Sequence, residues 1–371
     1  MTTTESHRDD ARWMARAVRR AAAVFPPPHP NPRVGCVLVR DGAVVAEAAH
    51  EQAGGPHAEA AALQAAGGEA AGATAYVTLE PCAHYGRTPP CARALIEAGV
   101  ARVVVGHRDP NPRVAGGGIA QLEAAGVAVT EGVLATDAEA LNRGFLRRIA
   151  GGRPWVRVKL AASLDGRTAM ASGESRWITS AAARRDVHRG RAQAAAVLTG
   201  VGTVRADDPR LDARDVEPAV PAERQPLRVV LDPRLTTPPQ AALFRAPGPV
   251  LVGHAEYVNE ARARALRGCG AELLPIPLQE GGLHLGAVLD ALADREINEV
   301  WVEAGPTLAG AWVRDGYADE LRIYTAPHLM GDRARPLLHL PGLESMADRV
   351  RLHIEDVRRV GEEIRTTARL A

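Results

Sequence analysis

Residues 56–91 read PHAEAAALQAAGGEAAGATAYVTLEPCAHYGRTPPC, and the order of His57, Glu59, Cys82 and Cys91 within them decides how the first part of the chain is read. An imidazole and two thiolates fill three corners of a zinc tetrahedron, whereas a structural zinc site closes the fourth corner with another side chain. Here the fourth corner is left to water, which ionises near neutral pH beside the cation. Glu59, two residues from His57, is the carboxylate that shuttles a proton from that water to a ring nitrogen and a departing amine. The pattern points to hydrolytic release of ammonia from an amidine-like ring. The competing view, two small core cysteines and a surface histidine, leaves Glu59 and the Pro81-Cys82 pair unexplained.

Base deaminases of the zinc type carry H-x-E followed by P-C-x-x-C. In this chain eight residues, 83–90, separate the two cysteines. Cys82 therefore ends a loop, and Cys91, after Pro89-Pro90, opens a helix whose free N–H groups favour a thiolate. Outward from this stretch, a helical pattern over about residues 8–23 leads into the proline-rich loop 25–32. Asp41-Gly42 between apolar runs 34–39 and 43–46 marks a hairpin. A helix over 57–66, a strand at 75–79, a helix over 91–98 and a strand at 101–106 follow, then a helix and strand within 117–130 and a helix over 137–148. These make an α/β domain with candidate ligands at two helix starts, ending near Gly151-Gly152. The expected domains are residues 1–150 and 151–371.

The chain has 371 residues, a formal net charge of +1 and a hydrophobic fraction of 46%, enough for two domains and no global pull toward a polyanion. Its N-terminus has no charged start followed by an apolar run, and no stretch reaches membrane-spanning length, so a soluble cytoplasmic protein is expected. Cys36 and Cys269, far apart in sequence, argue against a disulfide framework.

The second half alternates strands at 155–160, 196–198, 227–231, 250–253, 300–303 and 321–324 with helices over 180–192, 285–294 and 307–314, the pattern of a mostly parallel sheet. Glu303-Ala304-Gly305-Pro306-Thr307-Leu308 is a strand-to-helix turn whose N–H groups suit a phosphate, although alone it is no more than a turn. Thr199 to Thr203 repeats that geometry without a full dinucleotide fingerprint. Lys159 is the single lysine among 45 basic residues, either a chemical requirement for a compact ammonium or a chance survivor.

Further motifs carry a resemblance. Asn31-Pro32-Arg33-Val34-Gly35-Cys36, Pro56 to Glu59, Thr78 to Cys82, Gly86 to Cys91 and Asp109-Pro110-Asn111-Pro112 in the first half are similar to the bacterial bifunctional riboflavin-biosynthesis deaminase and reductase family. So are Lys159-Leu160, Ser163 to Arg167, Ser172 to Thr179, Asp207-Asp208-Pro209 and Glu303 to Leu308 in the second half. The resemblance implies a cytidine-deaminase-like three-layer domain followed by a dihydrofolate-reductase-like domain, using Zn2+ and NADPH. It implies deamination at C2 of 2,5-diamino-6-(ribosylamino)pyrimidinone 5′-phosphate, with Glu59 as shuttle, then reduction of the ribosyl group to ribityl. The ligands would be His57, Cys82 and Cys91. Asn31, His50, Arg87, Asp109 and Asn111 would meet the deaminase substrate, each with turn capping as its competing role; Arg87 stands where relatives also carry lysine.

In the reductase the resemblance assigns Ser175, Arg191, Leu211, Arg214 and Glu303 to substrate, the arginines to its phosphate. It assigns Ala161, Trp177, Thr203, Asp207 and Gly305, Pro306, Thr307, Leu308, Ala309, Gly310 and Ala311 to NADPH, with core packing and turn capping competing for Trp177 and Asp207. Lys159 would polarise the substrate near the transferred hydrogen. The partner would be a small molecule rather than nucleic acid or membrane, and the assembly a homo-oligomer. A nucleic-acid deaminase shares the zinc site but needs an aromatic or basic groove, and aromatic residues are 4% of this chain. A non-enzymatic zinc module leaves Glu59 unexplained, and the closest rival is a lone deaminase with an inactive second domain.

Overall fold

The computed structural model describes residues 3–83, 89–111, 114–175 and 177–371. The chain divides into two compact units, Met1–Gly152 and Arg153–Ala371.

In the first unit the order is α1 (Thr3–Ala22), β1 (Gly35–Arg40), β2 (Ala43–Ala49), α2 (Ala58–Ala66), β3 (Thr74–Leu79), α3 (Cys91–Glu97), β4 (Arg102–His107), α4 (Gly117–Ala124), β5 (Ala128–Glu131), α5 (Ala135–Leu141) and α6 (Arg143–Gly151). The strands form one sheet in the order β2-β1-β3-β4-β5. Alternation along β1 makes it the middle layer of three. Val37 and Val39 pack with Trp13, Met14 and Ala17 of α1, while Cys36 and Leu38 pack with Ala58 and Ala62 of α2 and Leu95 of α3. Asp41 and Gly42 turn the β1–β2 hairpin with φ of 52° and 74°, as the Asp-Gly pair requires. The expected helix over 137–148 is instead two helices broken at Asn142. The Asn142 amide accepts from Arg33 N and donates to Arg33 O, both at 2.8 Å, so a tertiary contact overrides a local helical pattern.

The second unit contains β6 (Trp155–Ser163), β7 (Arg167–Ala169), α7 (Ala181–Gln193), β8 (Ala196–Gly200), α8 (Val201–Asp207), β9 (Leu227–Leu231), β10 (Val250–His254), α9 (Glu260–Gly268), β11 (Ala271–Pro275), β12 (Leu278–Gln279), β13 (Gly282–Leu283), α10 (Leu285–Ala293), β14 (Glu299–Glu303), α11 (Pro306–Arg314), β15 (Glu320–Ala326), β16 (Arg335–Pro336), β17 (Leu352–Val360) and β18 (Glu363–Leu370). Nine of its strands form a sheet ordered β11-β10-β9-β8-β14-β6-β15-β18-β17, parallel up to β15 and closed by the antiparallel β18 and β17. The buried core includes Val156, Val158, Leu198, Val229, Leu289, Val302 and Trp312. The C-terminal hairpin has no counterpart among the strands expected from sequence. Its strand β17 interleaves charges with exposed Leu352, Ile354 and Val357, so no apolar run marks it.

Candidate active sites

In the first unit, His57 stands at the N-cap position of α2, Cys91 is the first residue of α3, and Cys82 lies three residues past β3, near the start of the connection to α3 rather than at its end as expected. Their ligand atoms lie within 4.8 Å of one another. His57 Nδ1 is 3.3 Å from Cys91 Sγ and 3.7 Å from Cys82 Sγ. A zinc tetrahedron with its usual bond lengths has an N-to-S edge of about 3.5 Å, so these side chains fit that ion. The donor set fits too. The hydrogen bond from the Cys91 thiol holds Cys82 down to about 4, and the same bond, with burial, raises Cys91. The Cys91 amide also donates to Cys82 Sγ at 3.3 Å. Glu59, in the first turn of α2, is buried beside the cluster, and burial pushes its carboxyl up to about 7.

Around this cluster, Asn31 Nδ2 donates to His50 Nε2 at 2.9 Å, and His50 Nδ1 contacts the Pro56 carbonyl at 2.9 Å. With Nε2 accepting, the proton sits on Nδ1. Both ring nitrogens thus have protein partners, and His50 ties Asn31 to the His57 loop. Asp109 is buried and accepts from Asn111 N at 2.9 Å, an Asx turn. Arg87 lies outside the described residues. Glu80, which sequence reasoning passed over, organises the same loop. Its buried carboxylate accepts from Asp109 N, Gly116 N, Gly118 N and Ile119 N at 3.1–3.4 Å. Its neighbour Pro81 presses so closely on α4 that a Cβ on Gly118 would lie 1.9 Å from the Pro81 carbonyl oxygen. Only the adjacency of Glu80 to Cys82 could have signalled this.

In the second unit a cleft of about 1610 Å³ opens along the ends of β6, β8 and β14. It exceeds the roughly 300–1,000 Å³ of a single small-ligand pocket and suits a dinucleotide together with a substrate. Lys159, Ala161, Ser175, Trp177, Arg191, Thr203, Asp207, Arg214, Glu303, Gly305, Pro306, Thr307, Leu308 and Ala311 all line it, which brings most of the expected reductase residues together. At Gly202 and Gly305, both on the cleft wall, a Cβ would meet open space, so the backbone is bare where phosphates need to approach. The residues present thus fit the cofactor.

Three of the expected residues, Leu211, Ala309 and Gly310, are placed away from the cleft wall. Leu211 is buried with Trp301 and Tyr324, Ala309 is in the core, and a Cβ on Gly310 would lie 2.1 Å from the His339 carbonyl oxygen. Positions 307, 308 and 311 of α11 face the cleft while 309 and 310 face inward, as helical periodicity dictates.

Pairing of β14 with β6 sets Glu303 beside Lys159. The Glu303 carboxylate accepts from Arg191 Nε at 2.5 Å, Arg191 Nη2 at 2.9 Å and Trp301 Nε1 at 2.8 Å. Burial acts to raise its pKa, but the charge and bonds of Arg191 hold it down to about 2. Burial lowers the Lys159 ammonium against the pull of Glu303. Arg191 gives three of its five N–H groups to Glu303 and to the Asp212 carbonyl, 3.1 Å from its Nη1, and lines the cleft with the rest of its guanidinium plane held by them. Trp301 and Asp212 carried no sequence signal, one reading as core and the other as a loop charge.

Residues 7–107 match the model of the cytidine and deoxycytidylate deaminase zinc-binding region, and residues 154–366 match that of the RibD C-terminal domain. Fold, ligand set and cleft together define a zinc-dependent deaminase joined to a dihydrofolate-reductase-like NADPH reductase. The chain is 48% identical to riboflavin biosynthesis protein RibD of Escherichia coli K12, over 96% of this chain and 98% of that one. The solved structure of Acinetobacter baumannii RibD, form 1, superposes with a TM-score of 0.89 at 42% identity, covering 98% of this chain and 99% of that one. A Thermotoga maritima structure described as a diaminohydroxyphosphoribosylaminopyrimidine deaminase and 5-amino-6-(5-phosphoribosylamino)uracil reductase gives a TM-score of 0.85 at 30% identity, covering 99% and 100%. The chain belongs to the RibD family of riboflavin biosynthesis proteins. Its second half matches the reductase domain throughout, and the rival of an inactive second domain finds no support.

Proposed function

We propose that residues 1–150 deaminate 2,5-diamino-6-(ribosylamino)pyrimidinone 5′-phosphate and that residues 151–371 then reduce the ribosyl group of the product to ribityl. The observation that carries the reading is the cluster of His57, Cys82 and Cys91 with the buried carboxylate of Glu59 beside it. The substrate pair named for the Thermotoga maritima relative supports the choice of ring. Zinc, when bound by those three side chains, supplies a Lewis acid that makes water nucleophilic near neutral pH. Glu59 takes the proton of the attacking water and returns protons to the ring nitrogen and the leaving ammonia. Asn31, held by His50, and the Asp109–Asn111 turn, held by Glu80, orient the ring.

In the cleft, NADPH supplies hydride when bound along Ala161, Trp177, Thr203, Asp207, Gly305, Pro306, Thr307, Leu308 and Ala311. Lys159 stands by with a proton for the ribose oxygen that departs from C1′, and Glu303, fixed by Arg191 and Trp301, keeps that ammonium charged and aimed. Ser175 and Arg214 hold the rest of the substrate. A net charge of +1 supports a small molecule over a polyanion. Among the described residues no helix is long and apolar enough to cross a membrane. The reading includes a cytoplasmic homo-oligomer, and the apolar side chains exposed on the edge strand β17 support self-association. Mass spectrometry of the products tests the order: with NADPH withheld, the deaminated ribosyl compound alone should accumulate, and its conversion to the ribityl compound should begin when NADPH is added. Reduction of the diamino compound before ammonia is released would refute that order.

A further inference from the structure

The loop after α8 carries a carboxylate that serves no obvious structural need. The Asp212 side chain is 2% exposed, yet its two oxygens go to the guanidinium groups of Arg210 and Arg214, which are 49% and 42% exposed. Arg210 Nη2 reaches Oδ2 at 2.7 Å and Arg214 Nη1 reaches Oδ1 at 2.6 Å. A half-exposed arginine gains little stability from an ion pair, whereas burying a carboxylate is costly, so stability alone does not account for the arrangement. What it achieves is rigidity. One anchored carboxylate fixes two guanidiniums on residues that both line the cleft. Arg210 has no other hydrogen-bond acceptor among the described residues. Asp215, 3.7 Å from Arg214 Nε, is 66% exposed and largely screened.

The backbone of this loop is held as firmly as its side chains. Asp208 and Asp215 have φ of 44° and 55°, which aspartate tolerates, but Leu211 between them has 58°, a left-handed conformation that leucine adopts only when its surroundings enforce it. Enforcement is visible. The Asp212 carbonyl accepts from Arg191 Nη1 at 3.1 Å and meets His188 Nδ1 at 3.2 Å, and the Gln225 amide takes both Ala213 N and Ala213 O at 2.8 Å. Leu211, buried under α7, is the anchor that turns Arg210 and Arg214 outward. Through Arg191 the same carbonyl is tied to Glu303 and so lies beside the reacting end of the cleft.

We propose that Asp212 is a positioning residue that holds Arg210 and Arg214 as a two-guanidinium cradle for the 5′-phosphate of the reductase substrate. The proposal rests on the function given above and adds Arg210 and Asp212 to it. Two planar forks flanking one carboxylate match the oxygens of a phosphate monoester, which accepts charge-assisted bonds from both. An amide at position 212 can accept from one arginine but turns its NH2 toward the other, so the pair splays without loss of side-chain volume.

The test measures KM and kcat of the zinc-loaded full-length protein with 5-amino-6-(5-phosphoribosylamino)uracil and with the corresponding riboside, both with NADPH. Wild type should prefer the phosphate. Asp212→Asn should raise KM for the phosphorylated compound about ten- to a hundredfold, the range for one charge-assisted hydrogen bond, while kcat and the riboside KM stay within about twofold. Arg210→Ala, at a half-exposed side chain, should do the same and decides the matter should Asp212→Asn fail to fold. An equal rise for phosphate and riboside would mean a structural role only, and an unchanged phosphate KM would mean no cradle. A rise in KM for NADPH instead would give the arginines to the cofactor; any of these three overturns the proposal alone. Absence of reduction in the wild type would overturn the functional reading and the cradle with it.

Discussion

Replacing Glu59 by Gln keeps the shape of the side chain and removes its capacity to accept a proton, so metal and chemistry separate at one residue. Zinc content should stay at one ion per chain while deamination falls about 10²–10⁴-fold, the usual contribution of a placed acid–base group. Reduction of already deaminated substrate should be unaffected, and deamination within a few-fold of wild type in a zinc-loaded variant would remove Glu59 from its role. Lys159 gives a pH signature. Its ammonium is the competent form and burial lowers its pKa, so reduction is present below that pKa and is lost as pH rises through it, earlier than for an ordinary lysine. Glu303, held at about 2, stays ionised across the working range and adds no limb. A kcat/KM profile for reduction should therefore show one alkaline limb that disappears in Lys159→Met; an unchanged limb in that variant would assign it elsewhere. His57, Glu59, Cys82 and Cys91 were legible in the sequence because ligand chemistry is written in side-chain type and order. Glu80, Trp301 and Asp212 were not, because what they hold is defined by partners distant in sequence or by loop backbone.

At the level of elements, strands with apolar runs and helices with clear periodicity were legible, and so were the Asp41-Gly42 turn and the helix opened by Cys91. The break at Asn142 and the β17–β18 hairpin were not, the first being imposed by Arg33 and the second lacking an apolar stripe. Gly118 shows how a close approach overrides propensity. Within α4, Ala is favoured over Gly by about 1 kcal/mol. A methyl group 1.9 Å from the Pro81 carbonyl oxygen must instead push α4 off the Cys82 loop, and overpacking of this kind costs about 1–3 kcal/mol or more. Gly118→Ala should therefore lower the thermal midpoint of the first unit and weaken zinc retention, with the second unit's midpoint unchanged. A raised first midpoint would show that the contact yields freely.

For the whole molecule, the division at Gly152 and Arg153 leaves each unit its own sheet and core, and the ligand cluster and the cleft fall on opposite sides of it. The domain order was legible because motif sets of different chemistry follow one another along the chain; β11, the β12–β13 hairpin and the antiparallel closure of the second sheet depended on pairings that sequence periodicity does not specify. The central claim is that two independent chemistries share one polypeptide. It is tested most directly by expressing residues 1–152 and 153–371 separately and assaying each half-reaction with and without a zinc chelator. The first segment should deaminate, lose that activity on chelation and regain it with zinc; the second should reduce the deaminated substrate with NADPH at a rate the chelator does not change. A folded second segment whose reduction falls when zinc is removed, or a zinc-free first segment that still deaminates, would contradict the account.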